Sequence, residues 1–136
     1  MTKRHSSLTG SWSGAYSYRG DVAPEVVFNA QIEEVGGAFV GSLQEPNTFL
    51  DSAGSVLTAE IEGTRVGSQI SFAKFYNRGV DYAIRYDGSV DNALARIDGK
   101  WTIPRSISGT FFMTRDDLGE EEAVEREAEV PIEKRR

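Results

Sequence analysis

Apolar and polar residues alternate with a period of two along most of this chain, with breaks about every ten residues at glycine, proline, asparagine or aspartate. Successive side chains of a β-strand point to opposite faces of a sheet, so the alternation predicts short strands that each bury one face. No helical periodicity appears before residue 116. The pattern therefore predicts an all-β protein.

Eight such runs follow one another between Leu8 and Arg115. Gly36-Gly37, Asn77-Arg78-Gly79 and Asp87-Gly88 are predicted to form hairpin turns, and Gly63 is predicted to end the fourth strand. Eight antiparallel strands joined in sequence can close into an up-and-down barrel, whose interior holds side chains or one small ligand. A two-sheet sandwich is the alternative. The predicted strands span residues 11–18, 26–33, 39–45, 56–61, 70–76, 80–86, 94–103 and 107–115.

The length of 136 residues suits a single domain. We expect a flexible N-terminus over residues 1–7, the β-barrel domain over 8–116, and a flexible acidic C-terminal tail over 117–136 that is disordered or a frayed helix. Nine acidic and four basic residues lie in 116–136, so the barrel itself is close to neutral within a net charge of -6. Nucleic acid is not an expected partner, because phosphate binding needs a basic surface.

Other classes of protein are excluded by composition. No run of 18 or more apolar residues is present, and no apolar stretch follows the charged first residues, so we expect no membrane association and a cytoplasmic location. The absence of cysteine excludes disulfides and thiolate metal sites. With a single histidine, His5, outside the predicted barrel, no metal site and no cofactor are expected. A homo-oligomer is compatible with the sequence.

Gly10-Ser11-Trp12 begins the first predicted strand, and Met113-Thr114-Arg115 ends the last. In these residues the chain resembles the calycin superfamily, which contains the lipocalins, the fatty-acid-binding proteins and the avidins. The resemblance covers residues 8–116 and implies that Arg115 lies across Trp12 and closes the barrel floor. A guanidinium on an indole contributes about 0.5–2 kcal/mol, so this pair is expected to be structural.

Within the superfamily, residues 8–12 and 41–45 are most similar to the first and third strands of avidins. The biotin ligands do not carry over, because Gly14, Leu43 and Glu45 stand where avidins place polar ligands. The haem-binding barrels need an axial histidine, and His5 lies outside the barrel. The resemblance therefore implies neither biotin nor haem.

The bulky faces of the predicted strands indicate what fills the interior. An apolar lining with phenol hydroxyls suits a small amphipathic or aromatic ligand, although the same side chains would also fill a packed barrel. Glu45 and Lys74 fall on these faces, and two buried charges should pair with each other or with a ligand. The alternative is that both reach water at strand ends. The predicted ligand-binding residues are Tyr16, Tyr18, Glu45, Phe72, Lys74, Tyr82 and Tyr86.

These features favour non-enzymatic binding of a small, partly apolar, unidentified molecule that enters at the mouth opposite Trp12. One alternative is a packed barrel that serves as a protein-interaction or oligomerisation module. Another is an isomerase or lyase that uses Lys74 as base or Schiff-base amine with Tyr76 or Tyr82 as proton donor. Asp87, Ser89 and Asp91 are spaced like part of a calcium loop, but a hairpin turn explains them better.

Overall fold

Eight antiparallel strands form one closed barrel in the computed structural model of this chain, which describes residues 5–46, 56–77, 82–104 and 106–116. Each strand pairs with the next in sequence, and the first pairs with the last. The predicted up-and-down barrel is confirmed and the sandwich alternative is wrong. The predicted tail, 117–136, lies outside the described residues. The strands are β1 (Gly10–Tyr18), β2 (Val26–Val35), β3 (Ala38–Pro46), β4 (Val56–Val66), β5 (Gln69–Tyr76), β6 (Ala83–Val90), β7 (Arg96–Thr102) and β8 (Ser108–Arg115).

Alternation decides which side chains enter the core. On β2 the even-numbered residues from Val26 to Ile32 are buried, while Val27, Asn29 and the other odd-numbered residues of that stretch are exposed. On β5 every even-numbered residue is buried, and Lys74 is among them. Within the described residues there is no helix with the length and apolar character that a membrane crossing requires.

Two glycines predicted to end strands lie inside them instead. Gly63 and Gly88 each sit where neighbouring strands approach so closely that a Cβ atom would overlap a carbonyl oxygen, of Ser71 and Asp98 respectively. β4 therefore extends past Gly63 to Val66, and β6 extends past Gly88 to Val90. Glycine in these strands marks close backbone contact and not a turn. The predicted Gly36-Gly37 turn is confirmed, with φ values of 60° and 88°.

The proposed calcium-loop residues also divide between a strand and a turn. Asp87 and Ser89 lie on the outer face of β6, where both are exposed. Asp91 follows that strand, and its carboxylate accepts the backbone N–H groups of Ala95 and Arg96 at 2.8 and 3.1 Å. The turn interpretation is therefore confirmed for Asp91 and wrong for Asp87 and Ser89, which lie within β6.

The end of the barrel that holds Trp12 is closed. The indole has no exposed surface, and the guanidinium carbon of Arg115 lies 4.8 Å from its ring centre. Arg115 donates to the carbonyl oxygens of Thr9 and Leu94 at 2.7 and 3.0 Å, and Trp12 Nε1 donates to the carbonyl of Leu8 at 2.9 Å. The predicted Trp12–Arg115 pair is confirmed. Among the described residues, an interior cavity lies toward the opposite end of the barrel.

Candidate functional site

A cavity of about 200 Å³ lies at the end of the barrel opposite Trp12. This volume corresponds to about six or seven waters at roughly 30 Å³ each, and it is below the range of roughly 300–1,000 Å³ that is usual for drug-sized ligands. The lining is mainly aromatic and aliphatic, with one ammonium group. The residues that line the cavity are Tyr16, Tyr18, Lys74, Tyr76, Tyr82, Ile84, Tyr86, Trp101, Ile103 and Ile107.

One wall of the cavity is formed by Tyr16, Tyr18 and Trp101. The two tyrosines are two residues apart on β1 and therefore share its inner face. Their rings meet the indole edge-on, with centroids 5.7 and 5.2 Å away. Trp101 Nε1 donates to the carbonyl of Ser17 at 3.0 Å, passing over Gly109, where a Cβ atom would lie 2.7 Å from that nitrogen. Gly109 thus makes room for the indole.

The charged residues predicted at the site, Glu45 and Lys74, meet at the inner end of the cavity. Lys74 Nζ lies 2.8 Å from Glu45 Oε1, and neither side chain has any exposed surface. The hydroxyls of Tyr16 and Tyr76 donate to Glu45 Oε2 at 2.8 and 2.7 Å. Such additional hydrogen bonds are what a buried ion pair needs to offset its desolvation. The predicted internal pairing is confirmed, and the alternative with both charges in water is wrong.

Aromatic rings surround the ammonium of Lys74. Its Nζ lies 4.7 Å from the ring centre of Tyr16, 4.6 Å from that of Tyr76 and 5.6 Å from that of Tyr86. The electron-rich faces attract the cation and add to the stabilisation that Glu45 provides. Lys74 is also one of the lining residues of the cavity, although its side chain has no exposed surface.

Burial sets the protonation of this cluster. It lowers the pKa of Lys74, and the charge of Glu45 acts in the opposite direction. It raises the pKa of Tyr16, Tyr76 and Tyr86, and the negative charge of Glu45 raises each of them further. These three phenols are therefore neutral at neutral pH, and those of Tyr16 and Tyr76 donate to Glu45.

The predicted ligand-binding residues do not all lie at the cavity surface. The predicted residues that line it are Tyr16, Tyr18, Lys74, Tyr82 and Tyr86, while Glu45 is the partner of Lys74 behind it.

Two of the predicted residues lie elsewhere than expected. Tyr82 was expected inside but stands at the rim, 47% exposed, because it precedes the first residue of β6. Phe72 belongs to the core below the cavity: its ring stacks on Tyr86 at 4.7 Å and meets Phe39 and Phe111 edge-on.

Some residues of the site were missed by the sequence analysis. Trp101 and Ile103 lie on the same face of the seventh run as the buried Ile97, so the period of two was sufficient to place them inside. Tyr76 was considered only as a proton donor, although it shares the inner face of β5 with Lys74. Ile107 precedes β8 in the structure, but it begins the predicted eighth strand and alternates in step with the buried Phe111 and Met113, so the same period could have placed it inside.

A wider groove of about 640 Å³ lies beside the cavity on the outer wall of the barrel. Several of its lining side chains, including those of Arg19, Asp87 and Lys100, are exposed on that wall. Charged groups in water are already solvated and favour no particular ligand. The smaller interior cavity is therefore the better candidate site.

Comparison with known proteins gives the fold alone. No family model matches the chain, and no curated protein matches it significantly in sequence. Among solved structures the chain is similar to a redesigned β-barrel, with a TM-score of 0.66 and 11% identity over 81% of this chain and 92% of that chain. At this identity the likeness supports a closed β-barrel and nothing about ligands.

Proposed function

We propose that this protein binds a small, partly apolar molecule in the cavity at the mouth of the barrel and releases it unchanged. The observation that carries the proposal is the cavity itself, which combines aromatic walls with a single buried ammonium, that of Lys74. Apolar area provides affinity in such pockets, and a few polar groups fix the orientation of the ligand. The apolar area is provided by Tyr16, Tyr18 and Trp101, and the polar group is the ammonium of Lys74.

The charge of the cluster favours a neutral ligand. Lys74 and Glu45 compensate each other, so an anion or a cation in the cavity would bring an unpaired charge into a buried place. An ammonium has three N–H donors, and one of those of Lys74 is directed at Glu45. A carbonyl or other neutral acceptor on the ligand would take another. The expected ligand is thus small, planar and uncharged, with one hydrogen-bond acceptor.

The alternative of an oligomerisation module has less support. Val40 is 52% exposed on the outer wall, but it pairs across the sheet with Glu33 on one side and Glu62 on the other. Glutamates interrupt the apolar surface at this place, and stable interfaces are depleted of charge at their core.

Two finer assignments belong to the proposal. Membership of the calycin superfamily is supported by Trp12 on β1 and Arg115 at the end of β8, which close the floor together. A cytoplasmic location would be tested by fractionation of cells that express the protein.

Native mass spectrometry of freshly purified protein is the first experiment, because a co-purifying small mass would identify the ligand. The second uses the two tryptophans of the chain. In Trp12→Phe the emission of Trp101 should change when neutral aromatic probes such as benzamide bind, whereas in Trp101→Phe the sealed Trp12 should not respond. No adduct, together with no response of Trp101 to any probe, would overturn the proposal.

A further inference from the structure

We propose that Lys74 forms a reversible imine with small aldehydes that enter the cavity, so that carbonyl ligands of this class are held covalently. The inference rests on the proposed function, since the aldehyde must first occupy the same cavity. It is carried by one juxtaposition: a primary amine that borders an aromatic cavity and has a carboxylate 2.8 Å behind it. The substrate class is a small aryl or unsaturated aldehyde.

Lys74 is set apart from the other amines that the structure describes. The chain has four lysines, of which Lys74 is fully buried and Lys100 is exposed, while Lys3 and Lys134 lie outside the described residues. Lys74 is among the residues that line the cavity and Lys100 is not, so a carbonyl group held in the cavity lies beside Lys74. Orientation of two reactants in one cavity raises their effective concentration strongly.

Glu45 can move the protons that imine formation requires. Nζ gives a proton to Oε1, and its lone pair then attacks the carbonyl carbon, forming the C–N bond while the carbonyl electron pair moves to oxygen. That oxygen takes the proton from Glu45. The nitrogen returns a second proton to Glu45, which passes it to the hydroxyl as the C–O bond breaks and water leaves. The ammonium and the aldehyde thus give a protonated imine and water, and no oxidant or reductant is needed.

The product keeps the charges that the fold already stabilises. A protonated imine carries its positive charge at the position of the Lys74 ammonium, so Glu45 remains its counter-ion. The hydroxyls of Tyr16 and Tyr76 still donate to that carboxylate, and their ring faces still lie beside the cation. The lowered pKa of Lys74 acts in the same direction, because it makes the free amine more accessible.

Reductive trapping tests the inference. The full-length protein is incubated with benzaldehyde and cyanoborohydride, digested, and mapped by tandem mass spectrometry. We expect a secondary amine on Lys74, heavier by the mass of the aldehyde less one oxygen atom, in about tenfold excess over Lys100. Protein unfolded in urea should lose this preference. Modification of Lys100 or the N-terminus without Lys74 would overturn the inference.

The matched control is Lys74→Arg, which keeps a cation beside Glu45 but cannot form an imine. We expect it to lose the adduct at position 74, while the slower modification of the exposed Lys100 continues. If wild-type protein responds to benzamide and Lys74 stays unmodified, the inference fails while the proposed function stands. If neither benzamide nor benzaldehyde enters, both fail. Should Lys74→Arg not fold, the adduct map of the wild-type protein decides alone.

Discussion

Lys74 and Glu45 form an ion pair 2.8 Å long across the interior of the barrel, joining β5 to β3 past the intervening β4. Neither side chain has exposed surface, so both charges have lost their water. The carboxylate regains hydrogen bonds from Tyr16 and Tyr76, and the ammonium regains aromatic faces. Each charge is therefore compensated only while its partner is present. Removal of one member should lower the free energy of unfolding more than removal of both.

Comparison of a single and a double variant checks this balance. Lys74→Met leaves the Glu45 carboxylate buried without its cation, and we expect the free energy of unfolding to fall by about 3–5 kcal/mol. The double variant Lys74→Met, Glu45→Leu buries no charge and should lose less than the single variant. Urea unfolding followed by circular dichroism measures all three proteins. Equal losses in the single and double variants would contradict the prediction, and Arg85→Ala, in the exposed pair with Asp87, should change stability little.

Trp12 should be a major contributor to stability at the closed end. Trp12→Ala removes a fully buried indole, and we expect the free energy of unfolding to fall by about 3–5 kcal/mol. Arg115→Met should also destabilise the protein, because the carbonyls of Thr9 and Leu94 lose their donor. Thermal and urea unfolding measure both. A loss below about 1 kcal/mol for Trp12→Ala would be too small for a large core truncation and would show that the indole is not sealed in solution.

Periodicity was sufficient to predict most of the barrel. An inner and an outer face follow directly from a period of two, so the buried residues of β2 and β5 could be identified from their parity. The ends of the strands could not be predicted in this way. Gly63 and Gly88 looked like turn residues, because the sequence does not show how close a neighbouring backbone will come.

The site was predicted less completely than the barrel for two physical reasons. Parity holds only within a strand, so it predicted an interior position for Tyr82, which precedes β6 and lines the cavity from its exposed rim. Parity also says nothing of depth. Phe72 and Lys74 share the inner face of β5, but two residues along a strand are about 6.6 Å apart, which separates the core from the cavity floor. That Glu45 would meet Lys74 past an intervening strand depends on closure of the barrel.

Gly109→Ala should damage the cavity wall. The new methyl group would overlap the carbonyl oxygen of Ser17 and lie within 2.7 Å of Trp101 Nε1, so the indole must shift. We expect a loss of about 1–3 kcal/mol, typical of overpacking, and a changed Trp101 emission with weaker binding of benzamide. Gly36→Ala is the control, because nothing lies within 4 Å of its Cβ position and only its φ of 60° is strained. It should leave Trp101 emission and probe binding as they are. Unchanged Trp101 emission in Gly109→Ala would contradict the prediction.

Alkaline pH should destabilise the protein, because its buried tyrosines ionise more readily in the unfolded chain than in the folded one. Tyr16, Tyr76 and Tyr86 have pKa values raised above the ordinary 10.0, chiefly by burial. Below pH 10 both the folded and the unfolded chain keep these protons. Above it the unfolded chain releases them while the folded chain retains them, so stability falls as the pH rises. Burial also raises the pKa of Tyr18. The lowered pKa of Lys74 acts in the opposite direction up to its ordinary 10.5, but it is one group against four tyrosines.

We therefore expect tyrosinate absorbance and the loss of β-sheet circular dichroism to rise together above pH 10, because the phenols of Tyr16, Tyr76 and Tyr86 ionise only when the barrel opens. In urea the same phenols should titrate near pH 10 without a cooperative step. Tyr16→Phe removes one of these groups, so its unfolding free energy should fall less steeply with pH than that of the wild-type protein. Ionisation of all the tyrosines near pH 10 with the circular dichroism unchanged would contradict the prediction. It would show that water reaches the phenols of Tyr16 and Tyr76, so that they would not be buried, neutral donors to Glu45.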